Sequence, residues 1–240
     1  MKVYRADLHI HTCLSPCADL DMTPRAIVAQ SISAGIDIIA VCDHNSAENV
    51  EATIRAAREK GLLVLPGMEI SSKEEVHFLA IFERAEKVYT LQELVYRHLT
   101  GTNRPELFGD QVIVNEFDEV EGFNDRRLIG AVDLSLEEIA QEVKRLGGLG
   151  FAAHVDRPSF SISSQLGFIP SDIELDALEY AREPDRRTKL ASEELPVVMS
   201  SDAHFLKDIG RVHSSFVMRS PSFGEIRLAL MGEAGRRVGT

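Results

Sequence analysis

Short apolar runs alternate along the chain with longer segments in which apolar residues recur at i, i+3 and i+4. VYRADLHIHT, IDIIAVCDH, LLVLPGMEI, EVHFLAIF, GLGFAAH and PVVMSSDAH read as strands. TPRAIVAQSISAG, AENVEATIRAAREKG, SLEEIAQEVKRLGG and SFGEIRLALMGE carry the helical period, and most of them end at Gly. Thr23 followed by Pro24 marks one helix start, and Ser135 with Glu138 has the spacing of a capping box at another. Such alternation predicts βα units around a largely parallel sheet. The count is about seven strands, which points to an α/β fold closed, or nearly closed, into a barrel, with an open doubly wound sheet as the structural alternative.

The rhythm breaks between residues 90 and 133, where a helix-like LQELVYRHL leads into a stretch with Gly, Asn and Pro, then QVIVNEF and an acidic loop. A long irregular connection inside a compact domain is usually a functional lid or an insertion. A surface excursion without a chemical role is the plain alternative. No internal repeat, low-complexity tract or linker interrupts the chain, so residues 1–240 are expected to form a single domain.

With 240 residues, 44% of them hydrophobic, the chain can bury a sizeable core. A formal net charge of −12 opposes non-specific attraction to nucleic acid or to an anionic membrane, so no long nucleic acid is expected as a partner. A small phosphorylated substrate or a short nucleotide held through metal is compatible with that charge. The N-terminus lacks the pattern of a secretory signal, and no run approaches the ~20 apolar residues of a membrane span. A soluble cytoplasmic protein without membrane contact is the expectation. Cys13, Cys17 and Cys42, an odd and small set, fit reduced thiols, Cys42 within an apolar strand.

Eight histidines change the picture, because six of them sit with acidic residues at the ends or edges of the apolar runs. His9 and His11 share a face of an extended strand, so both imidazoles can reach one ion. Taken singly, H-x-H, Asp43-His44 or Asp202-Ala203-His204 would be ordinary polar residues at strand ends. Their joint placement after successive strands points to one multi-metal site, since barrel strands converge at their C-terminal ends. His98, in the helix-like LQELVYRHL, and His213, away from any carboxylate, are expected to lie outside it.

DLHIHT, AVCDHN, PGMEIS, a single His, AAH and SSDAH, from Asp7 to His204, together resemble the metal-dependent phosphoesterases of the PHP (polymerase and histidinol phosphatase) family. The resemblance implies a distorted seven-stranded, TIM-like (βα)7 barrel and two or three divalent ions, with zinc, manganese and iron all suited to mixed imidazole and carboxylate donors. It implies that His9 and His11 share an ion with Glu69 and Asp202, that Glu69 bridges to a second ion held by His77 and His154, and that His44 and His204 hold a third. The family's usual Ser-Asp-Gly after H-x-H is replaced by Ser15-Pro16-Cys17-Ala18-Asp19. Asp19, or Cys17 as a thiolate, stands where that ligand would be, or the ligand is missing; a redox pair of Cys13 and Cys17 is a further alternative. His77 begins its run instead of ending it, so it reaches the site only if its strand kinks or runs the other way.

Hydrolysis of a small phosphomonoester or nucleotide by a metal-activated hydroxide follows from this reading. The chain lacks G-x-S-x-G and a P-loop, which removes support for a serine nucleophile and for that style of nucleotide triphosphate binding. Asp43 is a candidate to orient a ligand imidazole or take a proton, or else a helix N-cap. Arg157 is the candidate for phosphate recognition, ahead of Arg186, Arg187 and Lys207. The alternatives are an exonuclease on short RNA or DNA, an amidohydrolase-like C–N hydrolase, and a non-catalytic metal-binding sensor or interaction protein.

Overall fold

The computed structural model describes residues 1–182 and 195–239. In chain order the elements are β1 (Lys2–Ile10), α1 (Pro24–Ser33), β2 (Ile38–Val41), α2 (Val50–Ala56), β3 (Leu63–Ser71), β4 (His77–Ile81) and α3 (Ala85–His98). There follow α4 (Pro105–Phe108), β5 (Val112–Val114), β6 (Val120–Phe123), α5 (Leu136–Arg145), β7 (Leu149–Ala152), α6 (Ile162–Leu166) and β8 (Ala177–Tyr180). The last are β9 (Val197–Met199), β10 (Ser214–Met218), α7 (Phe223–Leu230) and β11 (Arg237–Gly239).

Nine strands form the main sheet, in the order β11-β10-β1-β2-β3-β4-β7-β8-β9. The six apolar runs of the sequence correspond to β1, β2, β3, β4, β7 and β9, and the count of about seven misses ALEY (β8) and the C-terminal pair β10 and β11, which carry little pattern. Nor is the sheet largely parallel: β4 runs antiparallel to both β3 and β7, and β10 to both β1 and β11. Residues 72–76 between β3 and β4 are too few for a crossover, so the two strands must form a hairpin. Past β9 the chain returns to β1, where the His11 amide donates to the Ala203 carbonyl at 3.0 Å and the Ala203 amide to the His9 carbonyl at 3.2 Å. A bridge between Ser200 and His213 adds a second seam. The sheet is thereby nearly closed into a barrel.

Alternate strand residues point to opposite faces. Ile39, Val41, Val64, Met68 and Ile70 pack outward against Ile27 and Val28 of α1, Val50 of α2 and Ile139 and Val143 of α5. Leu8, Ile38, Ala40, Leu65, Leu79, Phe151, Ala177 and Val198 meet one another and α7. They fill the interior. Burial on both faces explains why IDIIAVC and LLVLPGMEI read as continuous apolar runs.

α5 begins with the capping box expected, Ser135 accepting from the Glu138 amide and Glu138 accepting from the Ser135 amide. Thr23 occupies the N-cap position of α1, but its side chain makes no capping bond, so Pro24 alone carries that start. The segment from 99 to 133 is tied to the loops after β1 and β2. Asn49 Nδ2 donates to the Val112 carbonyl at 3.0 Å, Asn49 Oδ1 accepts from the Val114 amide at 3.0 Å, and Asn45 Nδ2 donates to the Leu128 and Gly130 carbonyls at 2.7 Å. Among the described residues no helix is long and apolar enough to cross a membrane.

Candidate metal centre

The interior face ends in polar residues at one mouth of the barrel. Along β3 the inward residues run Leu65, Gly67, Glu69; along β8 they run Ala177, Glu179; along β4, Ile81, Leu79, His77. β4 begins where β3 ends, with His77 paired to Ser71, so its reversed direction brings His77 to the same mouth. β1 needs a different device. Its register against β2 shifts between Asp7 and Ile10, a bulge that carries one extra residue. Leu8 therefore faces the apolar interior while His9 and His11, in the other phase, face inward above it.

The donors converge on Glu69. Its Oε1 lies 2.8 Å from His77 Nδ1, 3.1 Å from His154 Nε2 and 3.5 Å from His9 Nε2, and its Oε2 lies 3.0 Å from His44 Nδ1 and 3.4 Å from His11 Nε2. Asp202 Oδ1 lies 3.0 Å from His11 Nε2, 3.3 Å from His9 Nε2 and 3.5 Å from His204 Nδ1. Three sets have donor atoms within 4.8 Å of one another: His9, His11 and Asp202; His44, Glu69 and His77; His11, His44 and His204.

Hydrogen bonds behind the imidazoles fix which nitrogen faces the cluster. His9 Nδ1 is 3.1 and 3.2 Å from the Glu179 carboxylate, which only accepts, so Nδ1 carries the proton and Nε2 its lone pair. Ser15 Oγ donates to Asp43 Oδ1 at 2.6 Å, which leaves it to accept from His11 Nδ1 at 2.9 Å and from the His44 amide at 3.1 Å. His11 Nε2 then also presents a lone pair, 3.1 Å from His9 Nε2. Two lone pairs at that separation repel unless a cation lies between them. The buried His44 Nδ1 and Glu69 Oε2 approach each other at 3.0 Å but make no well-aligned hydrogen bond, with each other or with any other described group. Orphaned donors, facing lone pairs and a nitrogen and oxygen donor set all fit divalent metal ions.

Charge within the pocket follows the same arrangement. With no ion bound, burial would push the Glu69 carboxyl up and protonated His77, His44 and His9 would hold it well below the usual range, the positive charge that a bound cation would otherwise supply. Burial likewise opposes ionisation of Asp202, and His9 and His11 hold it low. His154 and Asp202 adopt φ of 29° and 48°, a left-handed backbone costly for residues with a side chain, and the strain falls on two of the cluster's own residues.

Asp43 is buried away from the cluster. Besides Ser15 it accepts from the Thr12 amide and hydroxyl, each at 2.7 Å, so it reaches His11 only through Ser15. It is not a helix cap; Asn49 holds that position for α2. Arg157 Nη1 lies 2.5 Å from Asp202 Oδ2, with its side chain 41% exposed. Asp19 is not brought in: the residue is exposed, and its Oδ1 accepts from the Asp21 amide at 2.9 Å. Cys17 is brought in, with Sγ 3.1 Å from His204 Nε2. Loss of water around that sulfur raises its pKa, yet the neighbouring His44 and the bond with His204 bring it down to about 6. His98 and His213 lie elsewhere, bonded to the Asp133 carbonyl and to Arg5 and the Gly210 carbonyl. Arg186 and Arg187 fall outside the described residues, and Lys207 stands over the Phe205 ring.

Glu179 was not legible as a site residue, although the buried carboxylate binds His9 and accepts from the His154 amide at 3.0 Å. Its one signal is an acid flanked by apolar residues in ALEY, where period two places it on the inner face with Ala177.

The family model for the PHP domain matches residues 7–162, which hold six of these donors from His9 to His154. The chain belongs to the PHP family. A second model, PHP-associated, matches residues 189–231, around Asp202 and His204. The family is one of metal-dependent hydrolases of phosphate esters. The fold is similar to that of the lesion-specific endonuclease PfuEndoQ from Pyrococcus furiosus, with TM-score 0.79 and 24% identity over 99% of this chain and 58% of that one. It is also similar to endonuclease Q in complex with a 27-mer duplex carrying an abasic lesion at the active site, with TM-score 0.77 and 22% identity over 98% of this chain and 58% of that one. A 5'-3' exoribonuclease of Haemophilus influenzae is 32% identical over 69 residues, 29% of this chain and 24% of the relative. The chain thus spans about a quarter of that relative and 58% of each endonuclease chain.

Proposed function

We propose that this PHP chain hydrolyses a phosphate ester of a nucleotide or short oligonucleotide, with two or three divalent ions held by His9, His11, His44, Glu69, His77, His154, Asp202 and His204. The observation that carries the reading is the convergence of six buried or half-buried imidazoles on Glu69 and Asp202, with lone pairs directed at one another. Bound there, such ions would supply an activated water at neutral pH and neutralise charge on the phosphoryl oxygens.

The protein's own part is orientation. Glu179 fixes the His9 tautomer, and Ser15 with Asp43 fixes that of His11. Arg157, at the edge of the cluster, offers its guanidinium to a phosphate oxygen in place of Asp202 Oδ2. A cleft of about 590 Å3 opens beside it, lined by Cys17, Arg157, Arg182, Asp202, His204, Phe205 and Arg211 among others. Its volume suits a nucleotide-sized ligand. Three arginines suit phosphates, and the 45% exposed Phe205 ring offers a face for a base. The segment from 99 to 133 acts in this reading as a buttress for the loops that carry His11 and His44.

A longer nucleic acid is a second reading, favoured by the likeness to endonuclease Q bound to duplex. The net charge of −12 weighs against this chain holding a duplex by its own surface. The test is product release by metal-loaded protein from nucleoside mono- and bisphosphates, 5′-phosphorylated oligonucleotides, histidinol phosphate and lesion-bearing duplex. Turnover of nucleotides or short oligonucleotides is expected. Turnover confined to duplex, or no turnover of any phosphate ester, overturns the proposal.

A further inference from the structure

His44 and His204 close one side of the cluster, and the chain departs from the family's usual sequence in the loop facing them. We infer that Cys17 supplies a thiolate ligand to the ion held by His44 and His204, an assignment that rests on the metal-centre reading above. The alternative from the same loop, Asp19, is turned to solvent and occupied by the Asp21 amide. Cys17 Sγ instead stands 3.1 Å from His204 Nε2. A tetrahedral zinc with bonds of about 2.3 Å to sulfur and 2.0–2.1 Å to nitrogen sets those donors roughly 3.5 Å apart. A small opening of the observed contact would admit the ion.

The contact is built into the fold. The Asp19 amide donates to the His204 carbonyl at 2.9 Å, and the Ala18 amide to the Ser15 carbonyl at 3.0 Å, so the turn that carries Cys17 is pinned at both sides to residues of the centre. His204 Nδ1 donates to the Asp202 carbonyl at 2.8 Å, which leaves Nε2, the atom facing Sγ, with its lone pair. His11, His44 and His204 present donor atoms within 4.8 Å of one another, and His44 is only 4% exposed, an observation independent of the cysteine. Neither other cysteine can substitute: Cys13 Sγ faces the Val112 carbonyl and Cys42 Sγ the Leu8 carbonyl, both buried. Ligation would pass the thiol proton to solvent, and a soft sulfur donor among imidazoles favours zinc over manganese at this one position.

The experiment is cobalt(II) loading of the full chain, reading ions bound per protein and the near-ultraviolet thiolate-to-cobalt charge-transfer band, in wild type and in Cys17→Ser. The expected result is a band in the wild type that Cys17→Ser abolishes, together with at least tenfold weaker retention of one ion. Cobalt retained in full without the band overturns the Cys17 assignment alone, as does a band that survives Cys17→Ser. A wild type that retains no cobalt overturns the metal centre itself and this assignment with it.

Discussion

Glu69 Oε1 lies 2.8 Å from His77 Nδ1, although the two residues belong to strands that run in opposite directions. Glu69 comes from the far half of β3 and His77 from the first position of β4, and the short hairpin between them makes those two ends one place. His9, His11, His44 and His154 also lie within 3.5 Å of the Glu69 carboxylate.

Replacing that carboxylate should therefore disturb more than one ion. In Glu69→Gln we expect kcat/KM to fall roughly 100-fold or more, since even outer partners of metal ligands cost 10–100-fold. Metal analysis should show fewer ions per chain. An unchanged ion count would mean that Glu69 does not bridge.

Ser15 offers a finer test because it touches no candidate ion. Ser15→Ala removes the acceptor for His11 Nδ1 and one donor to Asp43, while the Thr12 amide and hydroxyl still hold that carboxylate. Metal affinity should fall about 10–100-fold with the fold retained. Competition with a chromophoric chelator measures the former and circular dichroism the latter. Equal affinity in the two proteins would refute the positioning role.

Arg157 should separate substrate binding from metal binding. Arg157→Ala is expected to raise KM about tenfold or more, the loss of one charge-assisted contact of about 1.5–3 kcal/mol, with the ion count unchanged. An effect on kcat with KM constant would place the guanidinium elsewhere in the reaction.

The positions of His9, His11, His44, His154, Asp202 and His204 were legible because each closes an apolar run, and run ends in a βα fold share one mouth. His77 was legible only as a condition, since periodicity carries no strand direction; the five residues 72–76 settle it by being too few for a crossover. The bulge in β1 was not legible, because an extra residue in DLHIHT changes no composition and only the partner register reveals it. Glu179 was lost with its strand, four residues with no flanking pattern. Between Asp19 and Cys17 the sequence offered no choice; the fold turns Asp19 to solvent, its carboxylate accepting from the Asp21 amide, and sets Cys17 Sγ beside His204.

Far from the centre, the Glu225 carboxylate joins α7 to the C-terminal strands. It accepts from Arg236 Nη2 at 2.7 Å and Nε at 3.0 Å and from the Arg219 amide at 2.8 Å. The hydrogen bonds from Arg236 and from the Arg219 amide bring its pKa from 4.5 down to about 2. A carboxyl with a lower pKa folded than unfolded contributes stability above the unfolded value and loses it as pH falls through the folded one. The wild type should therefore lose its advantage over Glu225→Gln between pH 4.5 and 2, measured as the difference in denaturant midpoint. A difference constant across that window would contradict the assignment.

The central claim is that these imidazoles and carboxylates form a metal-dependent hydrolytic centre. Its most direct measurement follows ion content and nucleotide phosphate release on one sample, as purified, after chelation and after reloading with zinc, manganese or iron(II). The account expects two or three ions per chain, loss of turnover on chelation and its recovery in step with the ions restored. Turnover that persists in a chain stripped of metal would contradict it.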